Sequence, residues 1–402
     1  MQPDINKKLR VAIYSGSVPS TTFIERLIFA LSDKGHHIIL HGRKKQKSNY
    51  RHKNITCIGF RNESIGMLKA IFYSLGLLLF WPKAFSALLR QRQHFAEFYS
   101  FLKHSMRIAP ILFYRPDIFH LQWAKEIEQW MWLRSLGIKL VVSLRGTHVS
   151  ISPLSHPQLA KTYKKFFPLV DGFHAVSNSL AQTVRGYGAR DSKIKVVYSG
   201  LYLDEMHFRP PNRKVNDGLK IISIGRSHWL KGYRTSIEAC AKLKNKGINF
   251  HYTIVGGMSE EMIFLRHQSG LDNEITLTSA IEFDRVKTML LDSDVLILPS
   301  YEEGIANVVL EAMAIGVPVI SSNCGGMSEV IQHNENGWLV QVRNANELSE
   351  TLNYFLNLEP EEVKRIAKNA RNTIEARFRA THMATGMHQL YMETLLCNEE
   401  AN

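Results

Sequence analysis

Cysteine is scarce in this sequence, which has 402 residues and four cysteines, Cys57, Cys240, Cys324 and Cys397. They lie far apart and none has the CxxC spacing of a zinc or redox site, which argues against a disulfide framework and a structural metal. Long hydrophobic runs are scarce as well, since the most apolar stretch, residues 70–81, is shorter than the about 20 residues that cross a bilayer. The N-terminal residues lack the apolar core of a secretory signal peptide. The sequence therefore predicts a cytoplasmic protein.

Acidic residues are scarce in the first half of the chain. Residues 1–200 hold 30 Lys and Arg and 10 Asp and Glu, a net charge of +20, whereas residues 201–402 hold 20 and 26, a net charge of −6. The total of +14 therefore averages a strongly basic half and a slightly acidic half. A basic half predicts an anionic partner, such as nucleic acid, an anionic membrane or a phosphorylated ligand.

Short runs rich in Val and Ile alternate with helix-length amphipathic segments along almost the whole chain. The predicted strands are residues 9–15, 37–40, 117–122, 139–145, 173–177, 195–199, 220–225, 251–256, 274–279, 294–300 and 317–322. Nearly continuous apolar strands that alternate with helices indicate parallel sheets covered on both faces. The sequence thus predicts an α/β protein with two doubly wound, Rossmann-like domains.

The boundary between the two series of strands is predicted at residues 200–218, which are rich in Pro, Gly and Asp and lack hydrophobic periodicity. The predicted N-terminal domain covers residues 1–203 and the C-terminal domain residues 204–378. A final helix over residues 379–402 is expected to pack back on the N-terminal domain. Because ligands of open parallel sheets bind beyond the carboxyl ends of the strands, the loops that follow the strands are expected to line one cleft.

The strongest local pattern is PSYEEGIANVVLEAMAIGVPVISSNCGG, residues 299–326. It predicts a strand, an acidic loop that contains Glu303, and a helix that begins near Asn307. The free N–H groups and the dipole of such a helix N-terminus favour phosphate binding. Glu303 lies on the loop and Glu311 inside the helix, so that one carboxylate is placed to reach a reacting sugar and the other to bind a pair of hydroxyls such as a ribose diol. The alternative is a solvated acidic loop followed by an ordinary helical glutamate.

A second pattern is SIGRSHWLKGY, residues 223–233, in which Arg226 and Lys231 follow a predicted strand. Arginine offers a bidentate fork and lysine a mobile point charge, a combination that favours a diphosphate ligand. The alternative is a pair of unrelated surface cations. The acidic composition of this half of the chain favours the binding interpretation.

These motifs together resemble one family. The Gly-Arg…Lys-Gly pair, the EGIANVVLEAMAIGVPVI stretch and the element formed by Gly325, Gly326 and Glu329 resemble the donor domain of retaining GT-B glycosyltransferases, family 4, of the glycosyl transferases group 1 type. EGIANVVLEAMA and the N-terminal GSVPSTTFIERLIFAL are similar to the bacterial surface-polysaccharide members, and VVYSGLYLDEMHFRP resembles the hinge of the family. The resemblance covers nearly the whole chain and implies the GT-B fold, in which two Rossmann-like domains face each other across a cleft.

The resemblance also implies roles for the matching residues. Arg226 and Lys231 are expected to neutralise the donor diphosphate as it leaves, Glu303 to contact the donor sugar and Glu311 to hold the ribose hydroxyls. The remaining donor-binding positions implied are Gly16, Gly304, Ile305, Ala306 and Asn307. Catalysis with retention of the anomeric configuration is then expected to depend on positioning and on stabilisation of the departing diphosphate.

Two histidines are further catalytic candidates. His120 lies in the predicted strand 117–122, and His148 follows the predicted strand 139–145, where many members of the family have a histidine at the position of Arg145. Either histidine is placed to approach an acceptor. The alternative is a structural hydrogen-bonding role for each of them.

The sequence Asp292-Ser293-Asp294 has the DxD pattern that binds a divalent metal in the other large glycosyltransferase fold. Its position at a predicted helix-to-strand junction favours a capping or turn role instead. We therefore expect no metal and no cofactor, with the nucleotide-sugar as a substrate.

Residues 65–108 interrupt the α/β pattern with apolar and aromatic residues and a single acid, Glu97. Their cations are Lys69, Lys83, Arg90, Arg92, Lys103 and Arg107, and a second cationic cluster occupies residues 41–53. A basic, amphipathic helix pair predicts contact with an anionic membrane surface. The alternative is a buried helix with solvated cations. No nucleic-acid partner is expected, because the aromatics lie in a helix-like run and not in an RNA-binding strand.

The sequence as a whole predicts a metal-independent, retaining glycosyltransferase, peripheral on the cytoplasmic face of the inner membrane. It would move a sugar from a nucleotide diphosphate donor to a lipid-linked, lipopolysaccharide or exopolysaccharide glycan. One alternative is a nucleotide-sugar epimerase of the same fold, which would form product from the nucleotide sugar alone. The other is a catalytically silent, membrane-associated scaffold.

Overall fold

The computed structural model describes residues 7–44, 50–211 and 218–396. Cys397, part of the cationic cluster 41–53, part of the predicted boundary 200–218 and the end of the predicted final helix lie outside these residues. The chain divides into two compact units. Unit 1 contains residues 1–176, 180–200 and 380–402, and unit 2 contains residues 177–179 and 201–379.

Unit 1 is built on a parallel sheet of seven strands in the order β3-β2-β1-β4-β5-β6-β7. The strands are β1 (Arg10–Val18), β2 (His37–Lys44), β3 (Ile55–Cys57), β4 (Ile118–Leu121), β5 (Lys139–Leu144), β6 (Gly172–Ala175) and β7 (Ile194–Val196). The central strands are buried almost completely, as their unbroken apolar sequences predict.

Eight helices begin in the N-terminal half of the described chain. They are α1 (Thr22–Asp33), α2 (Glu63–Phe80), α3 (Pro82–Arg90), α4 (Phe98–Phe113), α5 (Thr147–Ser150), α6 (Ser152–Ser155), α7 (Pro157–Phe166) and α8 (Asn178–Arg185). Helix α1 shows why such segments form, because Ile24, Leu27, Ile28 and Leu31 recur at helical spacing and are all buried.

Unit 2 is built on a parallel sheet of six strands in the order β10-β9-β8-β11-β12-β13. The strands are β8 (Leu219–Ile224), β9 (Phe250–Val255), β10 (Ile275–Thr278), β11 (Val295–Leu298), β12 (Val319–Ser322) and β13 (Trp338–Val340). The helices of this part are α9 (Tyr233–Asn245), α10 (Glu260–Gln268), α11 (Phe283–Leu291), α12 (Asn307–Ile315), α13 (Ala345–Leu356) and α14 (Pro360–Arg377). Two doubly wound, Rossmann-like domains are thus confirmed.

The last described helix, α15 (Ala380–Leu396), belongs to unit 1, where it packs on α1 and on β5, β6 and β7. Met383, Met387, Leu390 and Tyr391 are buried on it, at the spacing of one helix face. A helix near the end of the chain therefore covers a sheet whose first strand lies near the start of the chain.

Helix α2 is unlike the other helices because most of its apolar side chains are exposed. One face packs on α4, where a Cβ on Gly66 would lie 2.2 Å from Sδ of Met106 and a Cβ on Gly76 2.6 Å from Cε2 of Phe113. Glycine at both positions lets the two helices approach closely. Among the described residues, α2 is the one helix long and apolar enough to cross a membrane by length and composition. The predicted helix pair is in fact three helices, α2 to α4.

Candidate active site

Arg226 and Lys231 lie on the loop that connects β8 to α9. Gly232 ends this loop with a φ of +65°, and a Cβ on it would lie 1.9 Å from the carbonyl oxygen of Pro299. Only glycine allows this contact, because any side chain would clash with the backbone that follows β11. Arg226 is exposed and Lys231 is partly buried. Both cations are therefore presented at the carboxyl edge of the unit 2 sheet, where ligands of parallel sheets bind.

Glu303 lies on the neighbouring loop, which follows β11. The N–H of Tyr301 donates to the carbonyl of Leu230 at 2.7 Å and thereby joins the two loops. Nζ of Lys231 lies 2.6 Å from Oε1 of Glu303, and the hydroxyl of Ser300 donates to the same oxygen at 3.0 Å. The side chains of Lys231 and Glu303 are only 24% and 17% exposed. The ion pair is thus partly shielded from water and stronger than a surface pair.

Gly325 and Gly326 hold the backbone of Glu303 in place from the other side. Gly325 has a φ of +51°, and a Cβ on it would lie 1.7 Å from the carbonyl oxygen of Glu303. The N–H of Gly326 donates to that oxygen at 3.1 Å, and a Cβ on Gly326 would lie 2.1 Å from the carbonyl oxygen of Gly304. The two glycines therefore let the loop after β12 pack backbone against backbone on the Glu303 loop.

Helix α12 begins directly after this loop. Ala306 precedes the helix and its side chain makes no cap, while its carbonyl accepts the N–H of Val309 at 3.0 Å. The N–H groups at the first helical positions, Asn307 and Val308, have no intrahelical acceptor. Oδ1 of Asn307 is buried and has no hydrogen-bond partner among the described residues. Such a helix N-terminus, with free N–H donors and a positive dipole end, can bind an anionic ligand.

The other predicted donor-binding residues lie along the same loop and helix. Gly304, Ile305 and Ala306 are buried. Glu311 is partly buried on α12, one helical turn beyond Asn307, so the two side chains share one face of the helix.

Two groups that border the ion pair are held in their neutral forms. Tyr233 donates its hydroxyl hydrogen to the carbonyl of Gly225 at 2.9 Å, and its burial and the nearby Glu303 carboxylate raise its pKa. Burial, followed by the charges of Glu303 and Glu302, raises the pKa of the Cys324 thiol to about 12. Both groups therefore stay protonated near neutral pH.

His120 lies inside unit 1 in a directed chain of hydrogen bonds. Nε2 of His174 can only donate to the carbonyl of Val197, at 2.9 Å, so its Nδ1 accepts the hydroxyl hydrogen of Ser143, also at 2.9 Å. Oγ of Ser143 then accepts from Nε2 of His120 at 2.8 Å, and Nδ1 of His120 accepts from the hydroxyl of Tyr391 at 2.7 Å. Burial lowers the pKa of both histidines, which keeps both rings neutral.

This placement favours the structural interpretation of His120. Its side chain is completely buried, and both ring nitrogens are already hydrogen-bonded. Tyr391, its partner on α15, is 271 residues away in sequence.

His148 and Arg145 lie together at the carboxyl edge of the unit 1 sheet. His148 is buried in α5 beside Trp123, and burial and the charge of Arg145 lower its pKa to about 3. The guanidinium of Arg145 donates to Oε1 of Gln122 at 3.1 Å and lies over the ring of Phe23. Nε2 of His148 and Nε of Arg145 are buried and have no partner among the described residues.

Gly16 lies at the end of β1, where the pairing with β2 is irregular. Its φ is +82°, and no heavy atom lies within 4 Å of a Cβ built on it. The backbone conformation therefore requires glycine, and the space in front of it is open. Gly16 lines a cavity of unit 1 that also contains several cations.

Sequence reasoning missed two contacts that position the site. Ser300 shares Oε1 of Glu303 with Lys231, although serine after a strand carries no distinctive pattern. Glu329 accepts the N–H groups of Asn178 and Ser179 at 3.0 and 3.2 Å, and all three residues belong to unit 2. The motif identified Glu329 but did not indicate this partner, which lies 151 residues away.

The DxD pattern has structural contacts. Asp292 caps the C-terminus of α11, and Oδ2 of Asp294 accepts the N–H of Lys220 at 2.8 Å. A cavity of about 700 Å³ lies beside them at the amino ends of β8, β11 and β12, opposite the edge at which ligands of parallel sheets bind. Within residues 7–44, 50–211 and 218–396 no three His, Cys, Asp or Glu side chains form a group that can hold a metal ion.

Comparisons with known proteins agree with this architecture. Residues 20–205 match the family described as Glycosyltransferase Family 4, and residues 204–373 match the family described as Glycosyl transferases group 1. The chain therefore belongs to the family 4 glycosyltransferases with the GT-B fold, of the group 1 type.

In sequence, the individual relatives match a smaller part of the chain than the two family matches do together. WcaL of Escherichia coli, named for colanic acid biosynthesis, is 31% identical over 258 residues, 61% of this chain and 63% of WcaL. A Campylobacter jejuni enzyme named N,N'-diacetylbacillosaminyl-diphospho-undecaprenol alpha-1,3-N-acetylgalactosaminyltransferase is 29% identical over 52% of this chain and 57% of its own length. The matches thus span less than two thirds of these relatives. Anabaena HepE, solved with UDP-glucose, superimposes with a TM-score of 0.68 at 16% identity, over 95% of this chain and 99% of HepE.

Proposed function

We propose that this protein is a retaining glycosyltransferase that moves a sugar from a nucleotide diphosphate sugar to a lipid-linked bacterial surface glycan. The observation that carries the proposal is the Lys231–Glu303 ion pair of 2.6 Å beside the N-terminus of α12. This arrangement combines a held cation, a carboxylate and free backbone donors at the ligand-binding edge of one sheet. A nucleotide diphosphate sugar requires each of them.

The reaction that we propose breaks the bond between the sugar and the diphosphate and forms a bond from the same sugar carbon to an acceptor hydroxyl, whose proton passes to the departing diphosphate. Negative charge grows on the diphosphate oxygen as that bond lengthens, and Lys231 and Arg226 stabilise it because they are already in place. Glu303 orients Lys231 and keeps a hydrogen-bond acceptor beside the sugar. The α12 N-terminus and Asn307 bind phosphate or sugar oxygens, and Glu311 binds the ribose. No metal is needed in this scheme, since the two cations supply the neutralising charge.

The names of related proteins support the proposed substrates. HepE was solved with UDP-glucose, which supports a nucleotide diphosphate sugar as the donor. The Campylobacter relative is named for a diphospho-undecaprenol acceptor and WcaL for colanic acid biosynthesis, which supports a lipid-linked glycan acceptor.

We also propose that helix α2 rests in the cytoplasmic membrane surface. Its apolar side chains are exposed, among them Leu68 at 68%, Phe72 at 69% and Leu79 at 74%. Cations flank them on the same helix group, for example Lys69, Lys83 and Arg90. An exposed apolar helix face bordered by cations binds an anionic bilayer surface without crossing it.

The proposed activity is tested by incubating the full chain with a panel of nucleotide sugars and a bacterial lipid extract, and by measuring nucleotide release and glycolipid product. We expect release with one donor, stimulated by lipid. Lys231→Met is expected to lower kcat by about 100-fold with a smaller change in the Kd for the nucleotide sugar, because Lys231 acts on charge that grows in the transition state.

Lys246→Met is the matched control, because Lys246 follows the far end of α9 and is exposed. It should leave kcat unchanged. Product formed from the nucleotide sugar alone would identify an epimerase instead, and no release with any donor would favour a silent scaffold. An NMR assignment of the new linkage, compared with the donor, tests retention.

A further inference from the structure

Unit 1 contains a cavity of about 360 Å³ at the carboxyl ends of β1 and β2. Its polar lining comes from β1, β2, the start of α2, α4 and the segment after β4 that contains Glu126. The residues that matter here are Gly16, Arg43, Arg61, Glu63, Lys103 and Arg107. The proposed reaction uses none of them, although the sequence resemblance implies a donor-binding role for Gly16.

Glycines let the backbone segments beside this cavity pack closely. A Cβ on Gly42 would lie 3.0 Å from the carbonyl oxygen of Gly16, and a Cβ on Gly59 2.5 Å from the carbonyl oxygen of Gly42. The two strand ends and the next loop therefore pack backbone against backbone, with no side chain between them.

The cavity is cationic and its positive charge is incompletely neutralised. Four cations and two acids, Glu63 and Glu126, line it, which leaves a net charge of +2. Lys103 lies 3.3 Å from Glu63. Within the described residues, the side chains of Arg43, Arg61 and Arg107 form no hydrogen bond or ion pair. Three guanidinium groups around one cavity favour a ligand with several phosphate oxygens, because each can bind two oxygens at once.

Glu126 adds a different preference. Its Oε2 atom is buried and has no hydrogen-bond donor among the described residues. A carboxylate oxygen in this state accepts a hydrogen bond from a hydroxyl group. The ligand that satisfies the whole lining therefore carries both phosphate oxygens and a sugar hydroxyl.

The exposed apolar face of α2 begins at this cavity. Oδ1 of Asn62 caps α2 through the N–H of Ile65, and Asn62 and Glu63 both line the cavity. From there α2 runs for 18 residues, about 27 Å at 1.5 Å per residue, with Leu68, Phe72 and Leu79 exposed along it. A cationic cavity at one end of an exposed apolar helix matches a molecule with a phosphorylated head and a long hydrocarbon chain.

We propose that this cavity binds the diphosphate of a lipid-linked acceptor, with the hydrocarbon chain lying along α2 in the membrane surface. This inference rests on the proposed function and adds to it the site at which the acceptor is held. Arg43, Arg61 and Arg107 bind the diphosphate oxygens, and Glu126 accepts from a hydroxyl of the first sugar. The hydrocarbon chain attached to the diphosphate distinguishes this ligand from free diphosphate.

The test compares two vesicle types without any donor, so that its result does not depend on catalysis. One contains phosphatidylcholine with a polyprenyl diphosphate, and the other phosphatidylcholine with phosphatidylglycerol at the same total charge. We expect the full chain to bind the polyprenyl diphosphate vesicles at least 10-fold more tightly. The double variant Arg43→Ala with Arg107→Ala should reduce this ratio to about 1.

The double variant Lys83→Ala with Arg90→Ala is the matched control, since it removes the same charge from α3 outside the cavity. It should weaken binding to both vesicles alike and keep the ratio. Arg43→Gln with Arg61→Gln, at two exposed positions, repeats the test if the first variant unfolds, as judged by circular dichroism. An unchanged ratio in a folded cavity variant, or a ratio near 1 in the unaltered chain, would overturn the proposal.

Two further arms identify the ligand. Inorganic diphosphate should compete with the lipid only at concentrations at least 100-fold above those of the lipid-linked head group. Equal competition would show that the cavity binds free diphosphate and would overturn the lipid assignment. Loss of UDP binding in the cavity variants would assign the cavity to the donor and likewise overturn it. Absence of nucleotide release by the unaltered chain, by contrast, refutes the proposed activity. The ratio of binding to the two vesicle types still tests the cavity in that case.

Discussion

Lys231 and Glu303, 72 residues apart in sequence, form an ion pair of 2.6 Å between two neighbouring loops at the carboxyl edge of the unit 2 sheet. Ser300 donates to the same carboxylate oxygen. The ammonium group is therefore held in one position before any ligand arrives, and binding energy is not spent on ordering it.

Neutralising Glu303 tests this arrangement. Glu303→Gln keeps the shape of the side chain and removes the charge that orients Lys231, so kcat for nucleotide release should fall about 10- to 100-fold. The Kd for UDP should change less than 3-fold, because Arg226 and the α12 N-terminus remain. Glu302→Gln, on the adjacent position, is the control and should retain most activity. Equal losses in the two variants would contradict the role of the ion pair.

Gly325 is predicted to be indispensable for the shape of the site. Gly325→Ala adds a Cβ 1.7 Å from the carbonyl oxygen of Glu303, at a φ of +51°. Gly270 has a φ of +63° and nothing within 4 Å of its Cβ, so Gly270→Ala has the backbone strain without the clash. Urea denaturation should show a loss of about 1–2 kcal/mol for Gly270→Ala and a clearly larger loss for Gly325→Ala. Similar losses would show that the clash is relieved by a small shift.

The stability of the protein should fall in mild acid. Burial lowers the pKa of His41 and His174 to about 3 and that of His104 to about 4, each from 6.5. Below about pH 6.5 these three histidines are therefore protonated in the unfolded chain and stay neutral in the folded chain. The free energy of unfolding is constant above this pH and falls below it by at most about 1.4 kcal/mol per pH unit for each such histidine.

Thermal unfolding at pH 7.5, 6.0 and 5.0 measures this effect. Tm should be lowest at pH 5.0, and His174→Gln should flatten the profile although it removes the hydrogen bonds to Ser143 and Val197. A Tm that is equal at all three pH values would show that these histidines protonate in the folded state.

Membrane binding should depend on the apolar face of α2. Phe72→Glu with Leu79→Glu places two acids on that face and should abolish cosedimentation with phosphatidylglycerol vesicles, with no change in Tm, because both side chains are exposed. Leu154→Glu is the control, since Leu154 is 75% exposed on the short helix α6. Cosedimentation that survives the α2 change would place the membrane contact elsewhere.

Tyr391→Phe should test the hydrogen-bond chain through His120. The change removes the hydroxyl that donates to Nδ1 of His120 and leaves that nitrogen buried without a donor, so it should cost about 1–3 kcal/mol of stability. Tyr354→Phe, at an exposed position on α13, should cost almost nothing. A double-mutant cycle with Ser143→Ala measures the coupling along the chain.

Much of the fold follows from local sequence. The eleven predicted strands all correspond to strands of the two sheets, because a parallel strand buried on both faces has an unbroken apolar sequence. Two edge strands, β3 and β13, were missed. Each has three residues, which is too short for a pattern to stand out from a loop.

The site was predictable only as far as strand order allows. Arg226, Lys231 and Glu303 follow strands that pair side by side, so their shared edge was expected. Which atoms meet was not, because the Lys231–Glu303 distance depends on the backbone contacts of Gly232 and Gly325. The surroundings of His120 were equally hidden, since its partner Tyr391 lies on the last described helix. The exposure of α2 likewise depends on a single packed face against α4.

The position of α15 has a consequence for the cotranslational folding of this protein. The seven-stranded sheet of unit 1 is complete once Val196 has left the exit tunnel, but the helix that covers β5, β6 and β7 is translated only after the whole of unit 2. Until then the buried imidazole of His120 lacks one of its two partners, the hydroxyl of Tyr391. The nascent unit 1 therefore exposes an apolar surface during this time. We expect chaperone occupancy to persist until residue 396 has left the exit tunnel.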